Sequence, residues 1–479
     1  MCLTYIVRVP KVRVDVCALQ TLGETFPGFD PMATSNPFKQ IVAVKKHEWP
    51  LALSLSLYFF LVITTFWILK PIKKSLLVGF YQQQNLDLFG WMLSGSEAEQ
   101  LAKVMNMVVA AAAVAVFSLL SDRLQRERLT AFWAVFMAVC LVTFSGLIGT
   151  PSEPTVWAFY LFGDLFNTVM VASFFAFAND AIPPEAAKRL YGIIGLGGVA
   201  GGAFGTTTLR ATLGLIDRSG WLLISAGVMA LIVGVAFVAA RYAEPAAEKR
   251  PPMAAKPETK DAGALASARL VFRSRYLLGL VALVAVYELV STILDFQFTA
   301  TVEHFSSLGV LDLDEAFSSL YAFTNVTALL VQLLLTSFVM QRFGVGVALL
   351  VLPGAALLGS VGFVLVPIYF TGAALSASDN AFNYSINQSA RETLYTVTSR
   401  EEKYKAKAFI DMFVQRTAKS LGVGVNLVMA ASIASFAGVR YLSLVTIPLL
   451  VVWIFVVRYL SRSFDEREAA MADREAKAA

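Results

Sequence analysis

Apolar residues run along this chain in stretches of roughly twenty, long enough to cross a hydrocarbon core about 30 Å thick. Charged or turn-rich gaps divide the stretches. The pattern predicts twelve helical spans, at 51–69, 101–120, 129–149, 157–178, 190–213, 221–240, 277–298, 318–340, 345–366, 369–388, 408–433 and 437–457. No strand-like alternation recurs in these runs, and backbone groups in lipid must hydrogen-bond within their own segment, so helices are expected. The expected fold class is all-α: a polytopic membrane protein of about twelve transmembrane helices in two six-helix repeats.

The polar gaps set the domain organisation. Segment 241–275, with Glu244-Pro245, Lys249-Arg250-Pro251-Pro252 and Lys256-Pro257, has no apolar period and reads as a flexible cytoplasmic linker. It separates a first six-helix half, 49–240, from a second, 276–460, with cytoplasmic tails at 1–48 and 461–479. The halves echo each other: Arg123 and Arg342 follow corresponding spans 219 residues apart, and Asp164 and Asp379 lie in corresponding spans 215 apart. In transporters built from such repeats, substrate lies near the midplane between them. The N-terminal stretch lacks an apolar run of signal-peptide length, and Met32 resembles an alternative start.

Composition narrows the function. Hydrophobic residues make up 57% and charged residues 15% of the 479, against about 45–50% and about 25% in soluble domains. Mean hydropathy is +0.66. Soluble enzymes, disordered chains and nucleic-acid modules need other compositions, and a net charge of +5 does not call for a nucleic-acid polymer as partner. Cys2, Cys17 and Cys140 have no metal-like spacing, and His47 and His304 lie outside the apolar runs, so neither a metal, a cofactor nor an enzymatic activity is expected. Most of the 39 lysines and arginines fall on one side of the predicted membrane, which assigns both termini to the cytoplasm. The opposite loops carry acids: Asp87, Glu97, Glu99, Glu153, Glu303, Asp312, Asp314 and Glu315. Trp49, Trp67, Trp157 and Trp221 fall at span ends, as an interfacial belt does.

A charge at a helix centre costs roughly 2.5–3.5 kcal/mol on insertion scales, so charges within spans point to function. The acids are Asp164 in span four, Glu288 and Asp295 on one face of span seven, and Asp379 in span ten. Lys70, Lys73 and Lys74, at i, i+3 and i+4, share a side at the far end of span one, and Arg416 and Lys419 share a face of span eleven. Like charges at that spacing repel unless an anion or an acid lies between them, so a cationic path for a polyanion competes with snorkelling and internal ion pairs. The glycine-rich stretch 192–205 lacks the Gly-Lys-Ser/Thr of a phosphate loop, and its Gly197/Gly201, Gly198/Gly202 and Gly201/Gly205 pairs suit close helix packing. Phe159, Phe162, Phe166, Phe174 and Phe175 crowd Asp164 and read as packing rather than as a platform for a base.

Several segments together resemble the nucleotide transporter family, the ATP/ADP translocases of obligate intracellular bacteria and plastids. They are Ile68-Leu69-Lys70-Pro71-Ile72-Lys73-Lys74-Ser75-Leu76, then Phe177-Ala178-Asn179-Asp180, then Arg391-Glu392-Thr393-Leu394-Tyr395 with Glu401 through Asp411, and Arg416 through Ser420. The resemblance implies a major-facilitator-like bundle that exchanges ATP for ADP or imports nucleotides with protons. By motif it assigns the family's transport lysines to Lys73 and Lys407 and its transport acids to Asp164 and Asp295. Both acids are Asp where the family pattern has Glu, and Lys70-Pro71 stands where it has Arg-Asp. Lys70, Lys74, Asn179, Asp379, Arg416 and Lys419 complete the expected substrate-binding set. The expected substrate is ATP, ADP or a related nucleotide, moved by a single copy of the chain in a bacterial inner membrane. The alternative is a major-facilitator-like carrier for another organic anion or drug.

Overall fold

A computed structural model describes residues 44–121, 123–243, 264–399, 402, 406–407, 409–432 and 436–478. The alternative start at Met32 and most of the predicted linker lie outside the described residues. The first half comprises α1 (Trp49–Gln83), α2 (Gly95–Ser121), α3 (Arg126–Leu147), α4 (Glu153–Ala181), α5 (Pro184–Ala211) and α6 (Arg218–Tyr242). A two-stranded hairpin, Leu86–Leu88 with Trp91–Leu93, joins α1 to α2 through Phe89 and Gly90 at positive φ, the geometry of a tight hairpin turn. The short helix α7 (Ala264–Arg273) lies where the linker was expected to be irregular.

The second half comprises α8 (Arg275–Ser307), α9 (Leu313–Leu330), α10 (Thr336–Leu365), α11 (Tyr369–Phe382), α12 (Gln388–Leu394), α13 (Gln415–Ser432) and α14 (Phe436–Ala478). Single π turns at Val331–Leu335, Asn383–Asn387 and Ile410–Val414 connect α9 to α10, connect α11 to α12 and precede α13. Such π turns mark places where a helix is re-aimed without being broken.

Nine helical runs among the described residues are long and apolar enough to cross a membrane. One of them, Leu313–Leu365, holds two predicted spans, and the chain bends between them at Gly344, whose φ of 82° suits a residue without Cβ. Helix also occupies the two predicted spans outside those nine, around the π turns at Asn383–Asn387 and Ile410–Val414. The protein is a mostly helical, multi-pass membrane protein, and the figure of twelve crossings rests on the sequence pattern.

Several predicted boundaries move: the second span begins at Gly95 rather than 101, and the seventh runs on to Ser307 rather than 298. Span one does not end at 69: α1 continues to Gln83, because the three lysines that end the apolar run are good helix formers and find partners inside the bundle. The last helix runs through the predicted C-terminal tail to Ala478.

The glycine stretch does what its spacing predicts. Gly197, Gly198, Gly201 and Gly205 lay the backbone of α5 along α1, against Ser56, Phe59, Phe60 and Thr64 in turn. A Cβ on Gly201 would stand 2.5 Å from the Phe60 carbonyl oxygen, and the contact is closed by Thr64 Oγ1 donating to the Gly201 carbonyl at 3.1 Å. Phe159, Phe162, Phe166 and Phe174 are buried in the core of the first half, while Phe175 is exposed. Each half has its own apolar core, and a smaller cluster of Trp67 and Val78 with Phe298, Val302, Phe317 and Tyr321 joins them.

Candidate functional site

The extra length of α1 carries its lysines into the seam between the halves. Lys73 and Lys74 are 5% and 3% exposed, which rules out snorkelling to a surface. Lys73 forms an ion pair with Asp164 on α4, which also accepts a hydrogen bond from the Asn106 amide on α2. The Lys73 ammonium sits 4.3 Å from the centre of the Tyr160 ring. Its stem crosses Gly163, where a Cβ would come within 2.6 Å of it, so the glycine beside Asp164 makes room for the pair.

One residue further on, Lys74 turns to the other half. Its ammonium lies 2.9 Å from Asp295 on α8 and 3.3 Å from Glu99 on α2. Lys103, one turn after Glu99, reaches Glu99 at 3.1 Å and also pairs with Asp295. Lys74, Glu99, Lys103 and Asp295 therefore close a ring of alternating charge, and Tyr160 donates its hydroxyl to Glu99 at 3.0 Å. Buried ion pairs of this kind recover their desolvation cost only when each charge meets several partners, as here. Counting Lys70 and the Lys73–Asp164 pair, four ammonium groups face three carboxylates.

Around this centre, Asn426 on α13 donates to Gln100 at 3.0 Å and Arg416 donates to the Met107 carbonyl at 3.1 Å, both across the seam. Asp379 on α11 is 2% exposed and accepts from Ser291 at 2.7 Å, one turn of α8 before Asp295. The other predicted residues lie elsewhere. Lys419 is exposed, and Asn179 is exposed and accepts from Tyr191. Lys407 contacts both oxygens of Glu392 at 2.7 Å, lining a cavity of about 400 Å³ with Arg391, Tyr395, Gln388 and Gln415. So Lys70, Lys73, Lys74, Asp164 and Asp295 come together, Arg416 and Asp379 border them, and Lys407, Asn179 and Lys419 do not join them.

Three expectations are corrected. Glu99 and Glu303, expected in loops, are helical and buried, at 2% and 9% exposure. Trp67, expected at an interface, is 6% exposed in the middle of α1. Lys103, Asn106 and Tyr160 are central residues that the pattern of the chain did not single out, and Glu99, named only as a loop acid, joins them. The available signal was the i, i+4 spacing of Glu99 and Lys103 at the start of a helix, masked by beginning that span at 101.

The seam is also tied beyond α1's lysines, on the side opposite the basic loops. Ser75 donates to Asp314, Arg218 pairs with Asp314 at 2.9 Å and Arg210 pairs with Glu315. The amides of Gly95 and Ser96, opening α2, donate to the Glu303 carboxylate at 2.6 and 2.9 Å, an anion held at a helix N-terminus.

Two helical halves meeting at a charged seam define a polytopic membrane carrier. Residues 55–399 match the model of the Major Facilitator Superfamily, and residues 364–464 match that of the TLC ATP/ADP transporter. ADP,ATP carrier protein 1 of Chlamydia pneumoniae is 23% identical, covering 90% of this chain and 95% of that one. The chloroplastic ADP,ATP carrier protein 1 of Arabidopsis thaliana is 24% identical over 65% of this chain and 55% of its own length. Among solved structures, the nucleoside transporter NupG superposes with a TM-score of 0.58 at 12% identity, covering 86% of this chain and 98% of that one. A bacterial homologue of the lysosomal transporter Spinster, inward-facing and unoccupied, gives 0.54 at 15%, covering 89% of this chain and 99% of that one, and both likenesses show the fold alone. The chain belongs to the Major Facilitator Superfamily, and its match to the TLC ATP/ADP transporter model and its likeness to ADP,ATP carrier proteins support a member of the nucleotide transporter family.

Proposed function

We propose that this chain carries nucleotides, exchanging ATP for ADP by alternating access, in a bacterial inner membrane with both termini in the cytoplasm. The observation that carries the reading is the ring of Lys74, Glu99, Lys103 and Asp295 beside the Lys73–Asp164 pair, with one ammonium in excess. A nucleotide brings several phosphate charges into low dielectric and needs cations there, and those cations need partners when no substrate is bound. Phosphate oxygens take over the lysines, and the carboxylates take them back. An empty carrier thus keeps all but one of its central ammonium groups paired, which suits exchange. The charge excess favours an anion over a cationic drug.

The ties at Glu303, Asp314 and Glu315 hold the halves together away from the basic loops, the arrangement of a carrier open towards the cytoplasm. Carrier relatives bearing ADP,ATP names, matching most of this chain, support the same substrate class. The test is uptake of labelled ATP and ADP into intact bacterial cells expressing the chain, with unlabelled nucleotides as counter-substrates. Uptake should require a nucleotide on the opposite side. A protein that is folded in the membrane yet moves neither nucleotide would overturn the reading.

A further inference from the structure

Three of the four central lysines are held by carboxylates, and Lys70 is not. Among the described residues its ammonium has no ion-pair partner. It lies instead 4.4 Å from the centre of the Trp67 ring and 4.7 Å from that of Tyr321. Trp67 comes from α1 and Tyr321 from α9, so the two rings, with centroids 5.6 Å apart, meet edge to face across the seam. Tyr384, in the π turn after α11, meets Trp67 at 5.8 Å.

The indole is fixed from behind. A Cβ on Gly202 would lie 3.1 Å from Trp67 Cδ1 and Nε1 and 3.0 Å from the Asn325 amide oxygen, so α5 presses its bare backbone against the ring edge. Trp67 and Tyr321 are 6% and 2% exposed, whereas Lys70 is half-buried: the lysine covers the rings.

An ammonium over aromatic faces is held more weakly than one paired with an anion, so a phosphate arriving at the seam outcompetes the rings for Lys70. What it leaves behind is an aromatic wall of a kind on which any nucleobase stacks.

The geometry points to Lys70 as a plug: substrate phosphate draws it off Trp67 and Tyr321, and the base of the same nucleotide takes its place against those rings. This rests on the nucleotide reading above and adds where the base goes and what admits it. Phosphate and base then bind cooperatively, because one uncovers the site of the other. Adenosine alone, with nothing to move the lysine, binds poorly.

The test is equilibrium binding of ADP, pyrophosphate and adenosine to the purified full-length chain. Wild type should bind ADP on the order of tenfold more tightly than pyrophosphate, the range of one base on one aromatic face. Trp67→Leu should lower ADP affinity to the pyrophosphate level while pyrophosphate binds no worse, and Trp67→Phe should recover part of the loss. Lys70→Gln should weaken pyrophosphate and strengthen adenosine, a pair of opposite changes that misfolding cannot produce. Gly202→Ala, which pushes the indole, should lower ADP affinity alone and serves if Trp67→Leu does not fold. Equal loss of ADP and pyrophosphate in Trp67→Leu, or no gain of adenosine binding in Lys70→Gln, would overturn the plug with nucleotide binding intact. A folded wild type that binds neither ADP nor ATP removes the nucleotide reading itself, and this inference with it.

Discussion

Replacing Asp295 by Asn probes the ring of four charges most directly. Asp295 is the member contributed by the second half, and Asn keeps its shape while removing its charge. Lys74 and Lys103, with side chains 4% and 15% exposed, are then left to share Glu99. Removing one partner of a buried ion pair costs about 3–5 kcal/mol. The Asp295 side chain is 29% exposed. The lower end therefore applies, about 3 kcal/mol or on the order of a hundredfold in an equilibrium constant. This cost falls only on the arrangement that brings α8 against α1 and α2, so the expected result is a shift of population away from it, with each half still folded.

Spin labels at the exposed Leu215 and Val310, one in each half on the side away from the basic loops, report that change as a distance distribution. Wild type should give a single short distance and Asp295→Asn a dominant longer one. Adding Lys103→Gln removes one of the two stranded ammonium groups and should recover part of the short population, with a coupling of about 1–3 kcal/mol. If Asp295→Asn changes the populations by less than about twofold and the double variant behaves like the single ones, the ring does not hold the seam and the energetic argument fails.

Lys73→Gln should weaken nucleotide binding, whereas Asp164→Asn should bind about as well as wild type yet exchange slowly, because its partner lysine is stranded only in the empty carrier; binding and exchange measured on the same preparation separate the two. Gly201→Leu should lower the thermal unfolding temperature in detergent and the folded yield, since any Cβ there meets the Phe60 carbonyl at 2.5 Å, and an unchanged transition would refute the close α1–α5 contact. Glu392→Gln should change stability by no more than about 1 kcal/mol, because the Glu392 and Lys407 side chains are 43% and 39% exposed and such pairs are screened by water.

Much of the bundle was legible because length and apolarity decide what crosses a membrane, and the chain obeys both over most of its length. The glycine spacing in α5 named its own role, since only small residues let two helix backbones approach. Lys70, Lys73 and Lys74 were visible as charges out of place on one side of a helix, but their separate partners were not: Asp164 for Lys73, Glu99 and Asp295 for Lys74, and aromatic rings for Lys70. What misled was treating a charge as the end of a span. Lys70 closed span one fourteen residues early, and Glu99 fell outside span two, because hydropathy counts a lysine or glutamate as solvent-facing whether or not another helix neutralises it. Only the fold brings Glu99 and Asp295 to Lys74, across 25 and 221 residues of chain respectively. The same limit applies to Lys407, whose position along the chain says nothing of its being taken up by Glu392.

The two lysines that stand side by side on α1 are tied to different bodies. Lys73 is held by Asp164 within its own half, and Lys74 by Asp295 across the seam. An anion that engages Lys73 alone therefore gains a seat but leaves the bolt between the halves shot, and only one long enough to reach Lys74 and Lys103 as well can draw it. Measured along a phosphate chain, the distance from seat to bolt acts as a ruler: short anions become occupants that block the carrier, and longer ones become passengers.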